Sequence, residues 1–336
     1  MSSGGMRPLG IPTVADRIAQ MAVKMQIEAE LERHFHPDSY GYRPHQSAHP
    51  AVEKVRANCW QGPWVLDMDI KGFFDNIDHS RRLRAVDKHV SEKWQRWYIE
   101  RWLKAPVQYP DGTMERREQG SPPGGVISPL LANRFLHYGF DVWVEKPCKG
   151  IPFVRYADDI IGHCKTEQEA KDLQAVLTTR FIEGGLMRHP EKTQIVYCNS
   201  WKPTEEYECL SFDFLGFSFR PRLTKLKSGV LLVCFLLAIS QKAAKRIRAN
   251  INAWPWLAWV PGEVKDIVRF SQSKLRGWME YDGRFGRGRI VHVLFHFDQK
   301  LSSWAKRKYQ SLKTKAPAVK RVIAFQRRNP KLLAHW

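Results

Sequence analysis

Tyr156-Ala157-Asp158-Asp159, set between Ile151-Pro152-Phe153-Val154-Arg155 and Ile160-Ile161-Gly162-His163-Cys164, is the stretch on which the reading of this chain turns. Its flanks are mostly apolar and of strand length. The pattern predicts two short strands joined at a tight turn that carries both acids. Adjacent carboxylates repel, which penalises ionising both. A hard cation that takes oxygen ligands, such as Mg²⁺, would relieve that penalty. The plainer alternative is an Asp-Asp hairpin turn on a solvated edge.

A second acidic group lies upstream in Asp67-Met68-Asp69-Ile70-Lys71-Gly72-Phe73-Phe74-Asp75, with Asp78 close behind. Trp64 to Ile70 alternates as a strand does, so Asp67 and Asp69 share a face and Asp69 sits near the strand end. Phosphoryl transfer with two metals needs carboxylates from more than one element, holding the ions ~3.5–4 Å apart. Asp69 with Asp158 and Asp159 is the set this requirement selects. Alternatively, Asp69 and Asp75 are ordinary caps, or surface partners of Lys71 and Arg81.

Around these strands the sequence predicts helices over Asp16–Phe35, Ala51–Cys59, Ser80–Lys104, Ile127–Val144 and Thr166–Gly184. Ser128-Pro129 opens the fourth, and the fifth has a Glu three residues after its Thr cap. His36 to Pro50 reads as a loop, and Tyr109 to Arg117 as a hairpin around Asp111-Gly112. Further strands are expected over Lys192–Cys198, Ser211–Arg220 and Val230–Leu237. This order predicts an α+β fold with helices on one face of a sheet, arranged like a polymerase palm. Basic, Trp-rich helices after Ser240 form a separate module.

At 336 residues and 43% hydrophobic composition, the chain can bury a sizeable core. The formal net charge of +20 points to a polyanionic partner, usually nucleic acid. Residues 241–336 hold 22 of the 54 Lys and Arg but 5 of the 34 acids, so this segment carries +17 and the first 240 residues only +3. Trp254, Trp256, Trp259, Trp278, Tyr281, Phe285, Trp304 and Tyr309 are interleaved with the basic residues. Aromatics so placed either stack on bases or fill the module's own core. The six Cys have no C-x-x-C spacing, which argues against a zinc knuckle and for reduced thiols in an intracellular, cytoplasmic protein. No signal peptide or membrane span is expected.

Several blocks carry a resemblance. They are Arg7-Pro8-Leu9-Gly10-Ile11-Pro12, Ser39-Tyr40-Gly41-Tyr42-Arg43-Pro44, Asp69-Ile70-Lys71-Gly72-Phe73-Phe74-Asp75, Gly124-Gly125-Val126-Ile127-Ser128-Pro129-Leu130-Leu131-Ala132-Asn133, Tyr156-Ala157-Asp158-Asp159, His189-Pro190-Glu191-Lys192-Thr193, Phe212-Asp213-Phe214-Leu215-Gly216-Phe217 and Leu275-Arg276-Gly277-Trp278. In this order they resemble the bacterial group II intron-encoded reverse transcriptase/maturases, from Arg7 to Trp336.

The resemblance implies a right-hand polymerase: partial fingers over 1–60, a palm over 61–225 with fingers-like portions between 80 and 120, and a helical, basic thumb/maturase domain over 226–336. It implies RNA-directed DNA synthesis and a role in splicing the parent intron. Two Mg²⁺, replaceable by Mn²⁺, would be held by Asp69, Ile70, Asp158 and Asp159, with the three aspartates catalytic. Ile70, Lys71, Phe74, Gly124 and Lys192 would meet the nucleotide, Phe74 excluding a 2′-hydroxyl; Phe74 could equally be core. Arg43, Arg246, Arg276, Arg284, Arg287, Lys306, Arg307 and Lys308 would contact nucleic acid, although Arg43, Lys71 and Lys192 read equally well as solvated surface. Implied partners are intron RNA, an RNA template with a DNA primer, and dNTPs; target DNA and a second copy of the chain are further candidates.

Two departures stand out. The family's Pro-Gln-Gly-Gly loop reads Pro122-Pro123-Gly124-Gly125 here, and proline offers neither a side-chain amide nor a backbone N–H. Only six residues precede Arg7, which reads as a shortened N-terminus. No endonuclease-like Cys and His set follows the thumb. A silent RNA-binding maturase is therefore the rival expectation, and a guide or defence-associated reverse transcriptase a third.

Overall fold

The computed structural model describes residues 10–120, 124–198, 207, 209–225, 229, 231–309 and 315–336. Arg7, Pro8, Leu9, Pro122 and Pro123 lie outside the described residues, and so do the expectations attached to them. Contacts divide the chain into two compact units, residues 1–199 with 205–209, and residues 200–204 with 210–336.

The first unit runs α1 (Val14–Glu32), α2 (Ala48–Cys59), β1 (Trp64–Asp69), α3 (Phe73–Asn76), α4 (His79–Asp87), α5 (Lys93–Lys104), β2 (Val107–Gln108), β3 (Met114–Glu115), α6 (Ser128–Leu136), a wide π turn (His137–Asp141), α7 (Val142–Val144), β4 (Phe153–Tyr156), β5 (Asp159–Cys164), α8 (Glu167–Glu183) and β6 (Gln194–Tyr197). Its main sheet has the order β4-β5-β1-β6, with each neighbouring pair antiparallel. Strand alternation sends Leu66, Met68, Phe153, Ile160 and Cys164 into a core shared with Phe135, Phe140, Leu173, Leu177 and Phe181, so α6, the π turn and α8 cover that face. Gly162 permits the close fit, since a Cβ there would stand 2.8 Å from Leu173 Cδ2.

The other face carries Val65, Asp67 and Asp69. Helix α2 packs on its β4–β5 side, where Cys59 meets His163. Helices therefore lie on both faces, not one. The second correction concerns Ser80–Lys104, which is two helices. Asp78 caps the first through the Arg81 N–H (2.8 Å), and the chain breaks at His89-Val90-Ser91 because Val90 turns inward to join a core of α1, α4, α5 and α6. On the outer side of α1, Ile11, Val14, Ile18, Met21 and Met25 are exposed.

The second unit contains an antiparallel sheet of β7 (Phe212–Phe214), β8 (Phe217–Lys225) and β9 (Leu231–Ile239), followed by α9 (Gln241–Asn252), α10 (Val264–Tyr281), α11 (Arg287–Lys308) and α12 (Lys315–Arg328). The single strand expected over Ser211–Arg220 is a hairpin, since Leu215 (φ 49°) and Gly216 (φ 87°) both take the left-handed backbone of a tight turn. The helices close on a core that includes Trp254, Trp256 and Trp304, with Trp259 and Trp278 packed against it. Each of the three buried indoles donates a hydrogen bond: Trp254 to Asn250 Oδ1 (2.9 Å), Trp256 to the Ile251 carbonyl (2.8 Å) and Trp304 to the Trp259 carbonyl (2.8 Å). The tryptophans thus build the module, and the charge is left outside. Among the described residues, no helix is long and apolar enough to cross a membrane, and the five cysteines are free thiols.

Gly120 ties the loop before α6 to the α3–α4 segment that follows β1. Its N–H donates to the Ile77 carbonyl (2.8 Å), and His79 Nε2 pairs with its carbonyl (2.7 Å). Its φ is +75°, and a Cβ would fall 2.5 Å from the Asp75 carbonyl oxygen, a backbone atom that cannot swing aside. Replacing Gly120 with Ala should cost about 2 kcal/mol or more from the left-handed backbone and the clash. Urea denaturation of both proteins measures this.

Candidate active site

The register of β1 against β5 places Asp69 directly opposite Asp159. The Asp69 carbonyl accepts the His189 N–H (2.7 Å) on the β6 side of β1, so its hydrogen-bonding groups face away from β5. Asp69 and Asp159 are therefore a non-hydrogen-bonded pair, the kind in which facing side chains come closest. The same alternation turns the Ile70 carbonyl toward the Asp158 end of β5, although its side chain is buried in the core. Asp158 is the second residue of the two-residue turn, and Ala157 before it takes a positive φ of 56°. A left-handed alanine costs about 1–2 kcal/mol, so the surroundings must enforce it.

They do so through a buried network. The π turn directs Asp141 toward β4, where Arg155 donates to both its oxygens (2.7 and 2.6 Å) with both side chains fully buried. The remaining arm of the guanidinium, Nη1, donates to Asn133 Oδ1 (3.0 Å) and to the Ala157 carbonyl (3.1 Å). Asn133 in turn donates to the Gly41 carbonyl (2.6 Å). Gly41 lies so near the turn that a Cβ would be 2.5 Å from Ala157 N. Asp38 and Tyr40 bond to the Arg155 backbone (2.9 and 2.8 Å), so within the expected loop residues 38–40 run as a short edge along β4.

The electrostatics follow from the crowding. Burial, and then the charges of Asp158, Asp69 and Asp67, push the Asp159 carboxyl up to about 7, and a hydrogen bond to Asp69 holds its proton. Lys192 Nζ sits 2.7 Å from Asp69 Oδ2 and offsets part of the negative charge. Gln194 Nε2 donates to Asp67 (3.0 Å). A concentrated set of hard oxygen donors, one of which keeps a proton in the absence of a cation, fits a divalent metal.

Tyr42 was not singled out in the sequence, yet it stands beside this cluster. Its ring is 6.4 Å from that of Phe74 and 6.5 Å from that of Tyr156. Burial, then Asp158, Tyr156 and Asp159, raise its hydroxyl pKa. A positive φ of 57° at Tyr42 was the hidden signal, since no sequence pattern announces it. Phe73 and Phe74 belong to the helical turn α3, one turn past the strand. Phe73 is buried, whereas Phe74 is half-buried toward Tyr42.

Gly124 is exposed with φ 107°, and Lys71 is exposed just past the end of β1, before Gly72. Arg43 departs from expectation. Its side chain is only 7% exposed and is used internally, on Glu32 and the carbonyls of His36 and Ser39. Lys308 likewise donates to the carbonyls of Val260, Pro261 and Gly262 and so pins the α9–α10 connection. Arg246, Arg276, Arg284, Arg287, Lys306 and Arg307 are exposed in the second unit.

Residues 2–219 match the family model described as reverse transcriptase (RNA-dependent DNA polymerase). This chain belongs to the reverse transcriptase family. Its α+β architecture is the polymerase fold of that family, and its relatives place it with the group II intron-encoded reverse transcriptase/maturases. Protein YkfC of Escherichia coli is 30% identical over 308 residues, 78% of this chain and 75% of that protein. The group II intron-encoded protein LtrA of Lactococcus lactis is 37% identical over 136 residues, 40% of this chain and 22% of LtrA, so the match spans a minor part of that longer protein. Among solved structures, apo telomerase of Candida tropicalis aligns with 11% identity and a TM-score of 0.49, covering 67% of this chain and 45% of that one, too slight a likeness to place residues. Members of the family generally use divalent metal ions.

Two predictions follow from this geometry. A carboxyl whose folded pKa exceeds its unfolded value binds protons longer in the native state, so the metal-free protein should lose stability as pH rises from about 4 through 7. Asp159→Asn should flatten that fall and raise stability at pH 8 by roughly 1–3 kcal/mol; thermal melts in a chelator across the pH range report it. Separately, Asp141→Ala strands a buried guanidinium and should cost about 3–5 kcal/mol. The double change Asp141→Leu with Arg155→Met should recover most of that loss in denaturation experiments.

Proposed function

We propose that this chain is an RNA-directed DNA polymerase that adds dNTPs to a primer 3′-hydroxyl and also binds its parent intron RNA as a splicing cofactor. The observation that carries the reading is the facing pair Asp69 and Asp159, with Asp158 at the adjoining turn. Functionally, residues 1–60 would serve as a fingers remnant, 61–225 as the palm and 226–336 as the thumb. Asp69, Asp158, Asp159 and the Ile70 carbonyl would hold two Mg²⁺, which when bound supply positive charge to acidify the primer hydroxyl and neutralise the departing pyrophosphate.

The chain's own groups do the rest. Asp159 gives up its proton as the site is loaded. Lys192 leaves Asp69 and turns its ammonium to the triphosphate, which keeps one positive charge in the site at either stage. Tyr42 and Phe74 form an aromatic wall at the height of the sugar, and Phe74 leaves no room for a 2′-hydroxyl. Lys71 and the exposed backbone at Gly124 border the nucleotide. Template, primer and intron RNA lie against Arg246, Arg276, Arg284, Arg287, Lys306 and Arg307 of the second unit. Target DNA and a second copy of the chain are further partners consistent with this use.

The rival is a silent RNA-binding maturase, favoured by Pro123 where the family carries Gln. Primer extension on an RNA template with Mg²⁺ and dNTPs decides between them. The polymerase reading expects incorporation that falls by at least about 100-fold in Asp158→Ala, the order lost when one charge-stabilising group is removed, with RNA affinity unchanged. A folded protein that binds RNA but extends nothing sinks the polymerase reading and leaves the rival.

A further inference from the structure

A cavity of about 290 Å³ opens in the second unit between the β8–β9 hairpin, the start of α9 and the first turns of α11. Arg220 and Arg222 reach it from β8, Lys245 and Arg248 from α9, and Arg289 and His292 from α11. No carboxylate is among the described residues that line it. Five permanent cations on three elements thus converge with no internal counter-charge, in a chain that pairs its buried Arg155 with Asp141 and its Arg43 with Glu32.

Like charges gathered this way destabilise the fold unless an anion joins them. Arg222 registers the strain. Burial and then the charges of Arg220 and Arg289 lower its pKa, and its own hydrogen bonds, to the Leu236 and Ser218 carbonyls, are long at 3.4 and 3.5 Å. The guanidinium is therefore held in place without its donors being well used. The first turn of α9 also faces the cavity through Ser240 and Gln241, and its N-terminal partial charge adds to the field. Arginine suits such a site because its planar fork grips two phosphate oxygens at once.

We infer that this cavity seats a phosphodiester of bound RNA, with Arg220, Arg222, Arg248 and Arg289 as its ligands. The inference rests on the RNA-binding reading above and adds where one backbone phosphate is fixed. It concerns position and not sequence, since phosphate contacts carry no base information.

The test uses the full chain in two arms. In the first, fluorescence anisotropy follows binding of a labelled RNA hairpin with a single-stranded 3′ overhang, across a salt series. The variants are R222Q/R289Q, the charge-preserving R289K, which removes the planar fork, and R327Q/R328Q on α12 as a charge-matched control. We expect R222Q/R289Q to weaken binding by about tenfold or more near 150 mM salt and to reduce the slope of log K against log salt by about 2. The control should change affinity by much less, and R289K should lie between. In the second arm, inorganic phosphate is added at low ionic strength and melting is followed. Phosphate should raise the melting temperature of the wild type more than that of R222Q/R289Q. The variant alone, relieved of repulsion, should melt no lower than the wild type, which excludes misfolding as the cause of weak binding.

Wild-type RNA affinity in R222Q/R289Q, or an equal loss in the control, overturns the phosphate seat and leaves RNA binding by the chain intact. Failure of the wild type to bind RNA at all defeats the underlying reading. Selective stabilisation by phosphate in that case would reassign the cavity to a free anion and overturn the RNA assignment.

Discussion

The buried pair of Arg155 and Asp141 is the constraint from which the geometry of the acidic cluster hangs. Taking two charges out of water is expensive, and a salt bridge in a dry interior seldom repays it in stability alone. What this one provides is position. The guanidinium joins Asn133 of α6, the π turn and the carbonyl of Ala157 through one planar group, and Asn133 carries the link on to the Gly41 backbone. Those contacts force alanine into a backbone that it avoids and so deliver Asp158 and Asp159 to the strand that carries Asp69. An apolar replacement could keep the fold, but it could not reach the Ala157 carbonyl.

Much of the first unit's main sheet was legible because its signals are local. Alternation marked β1, the apolar–acid–apolar run marked the β4–β5 hairpin, and Asp69, Asp158 and Asp159 could be drawn together from strand ends alone. The support of the site was not legible. Arg155 read as one polar residue in an apolar strand, Asp141 was hidden in a helix whose phase is shifted by a π turn, and Tyr42 depends on a positive φ. Each is defined by partners distant in sequence. Arg43 failed for the same reason, because a basic residue in a loop looks solvated until Glu32 is seen beside it.

The second unit sorts its two conspicuous residue types by depth. The buried Trp254, Trp256 and Trp304 satisfy their N–H groups internally and fill the core of the module. The cations stay at the surface or line the cavity beneath the hairpin. Lys308 is the exception, since its ammonium is consumed by three backbone carbonyls of the α9–α10 connection.

The facing of Asp69 and Asp159 has a consequence for how the protein can fail. Side chains on a strand change face with each residue, so slipping β1 by one position against β5 would turn Asp67 and Asp69 into the core, away from Asp159, and expose Leu66 and Met68. The slip that parts the acids is therefore the same one that opens the core. Assembly of the sheet is thus an error check built into the polymer itself. A chain whose core has closed properly already has its carboxylates aligned, and a chain whose carboxylates are misaligned has no core to keep it folded.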